Sequence, residues 1–135
     1  MTPSQPNRWE QLAENVSFET RAFIQGDYCS SLSKNVFQTE NPATGAELAV
    51  FSDGDANTIE RAVFAARDAF VQWRHLAPER RKSLLLAVAN QIEAERETLA
   101  LLDCLEMGMP ITMALEQVDG AAEFLRYNAE LMDKI

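Results

Sequence analysis

His75 is the only histidine, so any Ser-His-Asp or Cys-His nucleophilic arrangement has to be built around it. It falls in a short linker beside Arg74, where a solvated residue is the ordinary outcome. The two cysteines could act as nucleophile or metal ligand only as thiolates. Cys29 follows an aromatic in a strand-like run, and Cys104 lies within the leucine-rich LALLDCLEMG. Neither has a neighbouring His, Lys or Arg to hold a thiolate, and both read as small buried hydrophobes. The carboxylates of Glu93, Glu95 and Glu97 alternate with Arg96 at helical spacing, which suits a solvated face better than an acid/base pair. Met107, Met109 and Met113 cluster near a helix end, either to fill a core or to form a binding surface. No CxxC, HExxH, GxGxxG or P-loop occurs. The residues alone therefore offer no catalytic residue and no cofactor-binding motif.

The elements that would have to position such groups fit one domain of 135 residues. Lys and Arg number 12 against 21 Asp and Glu, a net charge of −9 that repels phosphate backbones and anionic lipid. Nucleic acid and membrane surfaces are thus excluded as expected partners. No apolar run approaches the ~20 residues of a membrane span. The start MTPSQPNRWEQ lacks the basic and apolar regions of a secretory signal, and two cysteines make no disulfide framework. A cytoplasmic setting is the expectation.

Periodicity divides the chain. Trp9, Leu12, Ala13 and Val16 mark one face of a short helix over residues 5–16. Ala22–Ile24 and Asp27–Cys29 flank Gln25-Gly26 as a tight hairpin, with Gly26 free to take positive φ. Val36–Thr39 and Leu48–Phe51 flank a second turn at 41–45, in which Pro42 and Gly45 suit turn positions. Asp55, with Asn57 as alternative, caps a helix running to about Arg74, whose stripe is Ile59, Ala62, Val63, Ala66, Phe70 and Trp73. Another helix opens at Pro78 after Ala77, which offers no capping oxygen. Leu84, Leu85, Val88 and Ile92 form its face, and a bend or break is predicted within Glu93–Glu97. Leu99, Leu102 and Leu105 resume the stripe until Gly108 and Pro110 close it. A last helix carries Val118, Ala122, Leu125, Ala129 and Met132, still in phase at Ile135, so the chain reads as cut rather than finished. The segment is thus mainly α-helical, with two small N-terminal β-hairpins. Its stripes can partly cover one another, and the surplus apolar surface predicts self-association or a low melting point.

The order of four motifs carries a family resemblance. The turn NPATG at 41–45 is followed by AARDAFVQWR at 65–74, then ERRKSLLLAVANQIEAERETLALLDCLEMGMP at 79–110, then VDGAAEFLRYNAELMDKI at 118–135. Together they resemble the N-terminal segment of the NAD(P)-dependent aldehyde dehydrogenase superfamily, an α/β family, over residues 21–135. The leading helix with Trp9 and TRAFIQGDYC at 20–29 further resemble the branch that oxidises γ-glutamyl-γ-aminobutyraldehyde and related aminoaldehydes.

The resemblance implies a domain organisation: an N-terminal helical extension (1–20), a hairpin segment (21–54) and the helical part of an incomplete cofactor-domain region (55–135). Whole members bind NAD or NADP, a cysteine thiolate attacks the aldehyde, hydride passes to the nicotinamide, and a glutamate-activated water releases the acid. Those catalytic and cofactor residues lie C-terminal to the matched region, so no cofactor is expected for this segment alone. Some members hold a structural monovalent cation, and the matching positions here are Thr39, Glu40 and Glu106, oxygen donors suited to a hard cation. The chain departs from the family at EMGMP, where Met107 and Met109 replace a more usual threonine and lysine. The competing expectation is a stand-alone, non-catalytic helical remnant or interaction module.

Overall fold

Side-chain oxygens and left-handed residues set the element boundaries in this computed structural model, which describes residues 7–29, 35–132 and 134. The order is α1 (Arg8–Ala13), β1 (Ala22–Ile24), β2 (Asp27–Cys29), β3 (Val36–Glu40), β4 (Glu47–Ser52), α2 (Ala56–Trp73), α3 (Pro78–Ala94), α4 (Arg96–Met107) and α5 (Ile111–Leu131). The fold is mainly helical with two small antiparallel hairpins, as the periodicity predicts.

Asp55 caps α2: its Oδ1 accepts from the Thr58 backbone N–H and from the Thr58 hydroxyl, both at 2.7 Å, which leaves Asn57 inside the helix. Asn7 caps α1 through a capping box with Glu10, a signal the periodicity reading did not use. That helix is shorter than predicted. Residues 5 and 6 lie outside the described residues, and the helix ends at Ala13, short of Val16. Asn15 explains the early stop, because its Nδ2 donates to the Gln11 carbonyl at 2.8 Å and takes up a helical acceptor.

The first hairpin pairs Ala22 with Cys29, Phe23 with Tyr28 and Ile24 with Asp27. Both turn residues have positive φ, 58° at Gln25 and 90° at Gly26, so the turn asks of Gln25 what the sequence assigned to Gly26 alone. In the second hairpin the register shifts between Thr39 and Glu40: Thr39 faces Ala49, Glu40 faces Glu47, and Leu48 is the extra residue of a bulge. The predicted break within Glu93–Glu97 falls at Glu95, whose φ of −98° and ψ of 14° separate α3 from α4. Gly108, at φ 70°, closes α4 as a left-handed cap.

The core lies between α3, α4 and α5. Ala89, Ala100, Ala114, Ala122 and Ala129 are fully buried, with Leu101 and Val118 nearly so. Small side chains at these positions let the helices approach closely, and α1 rests on α4. The stripes of α3 and α5 cover one another as expected, but α2 packs mainly on β1. Its Ile59, Phe64 and Phe70 remain 57%, 56% and 58% exposed. The accessible surface is 9967 Å², against roughly 7,100 Å² for a compact 15.1 kDa domain. Much apolar surface therefore has no cover within one copy. The in-phase end of the last helix at Ile135 lies outside the described residues.

Candidate functional site

The helix cap at Gly108 and the turn at 41–45 meet. A Cβ on Gly108 would lie 3.1 Å from Cγ of Pro42, so that ring rests directly on the end of α4. Hydrogen bonds close the turn: the Asn41 carbonyl accepts from Thr44 N–H at 3.2 Å and Gly45 N–H at 2.7 Å. The Asn41 side-chain oxygen accepts from Ala43 N–H at 2.9 Å. Gly45, at φ 69°, completes it. The contact brings together the two segments that carry the expected cation ligands. Thr39 is half-buried beside the β3–β4 bulge, Glu40 is exposed at the end of β3, and Glu106 is exposed in the last turn of α4.

The donor chemistry suits a cation in part. A helix C-terminus leaves carbonyls without intrahelical donors and carries partial negative charge, and only the Cys104 carbonyl is taken by the cap N–H, at 3.0 Å. Among the described residues, no three His, Cys, Asp or Glu side chains are grouped to hold a metal ion. Backbone oxygens would have to form most of the shell.

The remaining reactive side chains stand apart. His75 is exposed between α2 and α3, and its Nε2 accepts from Arg74 Nε at 3.3 Å. Cys104 packs against the Ala100, Ala114 and Val118 cluster, and burial first, then the Asp103 charge, pushes its thiol pKa up. That is the reverse of what a nucleophile needs. Cys29 is half-buried at the end of β2. Of the three methionines only Met109 packs on the core, while Met107 and Met113 are exposed. Between α1 and α4 a cavity of 240 Å³ is lined by Leu12, Asn15, Val16, Glu97, Thr98 and Leu101. Its one acid, Glu97, accepts from Arg8 at 2.5 Å.

The acidic run lies at the surface, as its spacing predicts, and charges in and around it also pair across helices. Arg126 reaches Glu93 at 2.5 Å and Asn90 at 2.7 Å. Arg96 grips Asp119 with two bonds, at 2.5 and 2.6 Å, and Lys82 meets Glu130 at 2.7 Å. These pairs run antiparallel along α3, α4 and α5. Periodicity could not find them, because opposite charges signify pairing only once the helices are known to be neighbours.

A family model described as the aldehyde dehydrogenase family matches residues 28–135. The chain is 38% identical over 130 residues to the NADP/NAD-dependent aldehyde dehydrogenase PuuC of Escherichia coli (strain K12), covering 94% of this chain and 26% of that protein. Among solved structures, the P. syringae indole-3-acetaldehyde dehydrogenase AldA, in complex with NAD+ and IAA, is 41% identical. It superposes with a TM-score of 0.90 over 94% of this chain and 26% of its own. The γ-glutamyl-γ-aminobutyraldehyde dehydrogenase of Burkholderia cenocepacia J2315 is 34% identical, with a TM-score of 0.90 and the same 94% and 26% coverage. The chain spans about a quarter of the length of these relatives.

Proposed function

This chain belongs to the aldehyde dehydrogenase family, and from that premise we propose that it is the N-terminal portion of an NAD(P)-dependent enzyme oxidising an aldehyde to a carboxylic acid. One observation carries the reading: nearly the whole chain follows a single quarter of such enzymes, in sequence and in backbone course alike. The aminoaldehyde branch is the favoured substrate class, supported by PuuC and the Burkholderia enzyme among the relatives.

In this reading residues 1–20 are an extension, 21–54 a hairpin segment and 55–135 the helical part of the cofactor domain. NAD or NADP, when bound, accepts the hydride. The segment itself supplies no catalytic or cofactor-binding residue. Its residues build scaffold: the buried alanines and the ion pairs hold α3, α4 and α5 together, and Gly108 seats α4 on the 41–45 turn. Thr39, Glu40 and Glu106, with carbonyls at the end of α4, are proposed to hold a structural monovalent cation. A cytoplasmic setting accords with this role. Among the described residues no helix is long and apolar enough to cross a membrane.

The test compares NAD(P)H formation from aminoaldehydes by the 135-residue chain and by the full open reading frame that contains it. The frame should reduce the cofactor and the 135 residues alone should not. Turnover by the short chain above a heat-killed control, or an inert full frame, would overturn the assignment. The exposed face of α2 favours one second reading, a stand-alone interaction module.

A further inference from the structure

Little apolar contact holds α1 against α4. The helix has six residues, and none of them is buried. A helix shorter than about 12 residues is marginal in water, so α1 depends on its capping box and on what it lies against. The apolar part of that contact is incomplete: the 240 Å³ cavity lies among Leu12, Val16 and Leu101, and Leu12 stays 36% exposed. The polar part is the ion pair from Arg8 Nη2 to Glu97 Oε2, at 2.5 Å. On one side the Trp9 ring backs the Arg8 guanidinium, 5.4 Å from the ring centroid. On the other, Glu97 stands in the first turn of α4, where the helix dipole favours a carboxylate. The two side chains are 66% and 43% exposed, so dissolved salt reaches both.

We infer that α1 is a strap latched electrostatically to α4: the Arg8–Glu97 pair keeps it docked, and salt releases it while α3, α4 and α5 stay folded. Those three helices share a seam of fully buried alanines, which screening does not weaken. Release uncovers Leu101, which is 5% exposed with α1 in place. Both partners of the latch belong to this chain and already meet within it, so the latch is selected without reference to what covers the outer faces. The inference is independent of the enzymatic assignment, which NAD(P)H formation tests separately.

Hydrogen exchange read by mass spectrometry decides it, on the 135-residue chain in about 0.01 M and about 1 M choline chloride, which spans strong and weak Coulomb attraction without loading the proposed cation site. In low salt the amides of α1 should exchange faster than those of α5, through an opening smaller than global unfolding. High salt should speed α1 roughly two- to fivefold and leave α5 unchanged, the range expected of one exposed pair. Arg8→Gln and Glu97→Gln should each reproduce that rise in low salt and abolish the salt response. Combined, they should add nothing to either alone, which marks a pairwise interaction. Exchange of α1 in step with α5, an α1 indifferent to salt, or substitutions whose effects simply add would overturn the latch.

Discussion

Replacing Gly108 and Gly120 by alanine, one at a time, should move stability in opposite directions. Gly108 has φ of 70°, and a Cβ there would sit 3.1 Å from Cγ of Pro42. The left-handed conformation costs an L-residue about 1 kcal/mol. The contact is tighter than the ~3.5–4.0 Å carbon optimum, so the proline must give way by a few tenths of an ångström. Together these effects should destabilise Gly108→Ala by about 1–2 kcal/mol. Gly120 lies inside α5, and a Cβ there would meet nothing within 4 Å. Alanine gains helix propensity and loses unfolded-state freedom at that position, for about 0.5–1 kcal/mol of added stability. In urea, at an m-value near 1.5–2 kcal/mol/M, the midpoint should fall by roughly 1 M for Gly108→Ala and rise by roughly 0.4 M for Gly120→Ala. Both are read by far-UV circular dichroism at one protein concentration, so that self-association cancels. A neutral Gly108→Ala would refute the seating of α4 on the 41–45 turn, and a destabilised Gly120→Ala would refute the open surface of α5.

Three further outcomes follow from the packing and charges. Ala100 is fully buried between α4 and α5, so Ala100→Leu should overpack the seam and cost about 1–3 kcal/mol in the same titration, whereas an unchanged midpoint would mean the helices stand further apart. The Arg96 guanidinium holds the Asp119 carboxyl below its ordinary range, and Arg21 lowers Glu19 to about 2. Such groups stabilise the fold fully above the ordinary carboxylate pKa of about 4, and the contribution is lost as pH falls through the lowered value. The melting temperature should therefore drop as the solution is taken from about pH 4.5 toward pH 2, and Asp119→Asn should flatten that slope. Replacing sodium and potassium by choline at constant ionic strength should lower the melting temperature if Thr39, Glu40 and Glu106 help hold a cation. A site whose dissociation constant is about a tenth of the salt concentration contributes about 1.4 kcal/mol. No response to the exchange would remove the cation from the proposal.

Local signals carried the fold far, and their failures have physical causes. Asp55, Pro78, Gly108 and Pro110 mark helix ends because each acts on the backbone next to it. The Gln25-Gly26 turn was legible for the same reason, although Gln25 takes a conformation that its Cβ disfavours. Val16 was misread because apolar spacing says nothing about Asn15 reaching back to Gln11 and ending the helix. The coverage of α2 was misjudged because a stripe shows that a partner is needed, not where it is. For the candidate cation site, the turn and the cap were each legible, but their meeting through Pro42 and Gly108 spans 66 residues and appears only in three dimensions.

The uneven packing of these 135 residues is itself an argument about what they are. Along α3, α4 and α5, each device agrees with the next: an alanine seam, a left-handed cap, and ion pairs at Lys82–Glu130, Glu93–Arg126 and Arg96–Asp119 in one antiparallel register. Agreement across levels is how a sequence specifies a structure. Beside that unit, α2 and both hairpins expose large side chains, and among the described residues no large side chain is fully buried. Arg81 Nε is buried without a hydrogen-bond acceptor, a cost that a self-contained domain rarely keeps. A random remnant would lose order in its seam and its surfaces alike. Here the seam is intact while the large side chains of α2 and the hairpins stay exposed, which accords with the proposed role as scaffold within a longer enzyme.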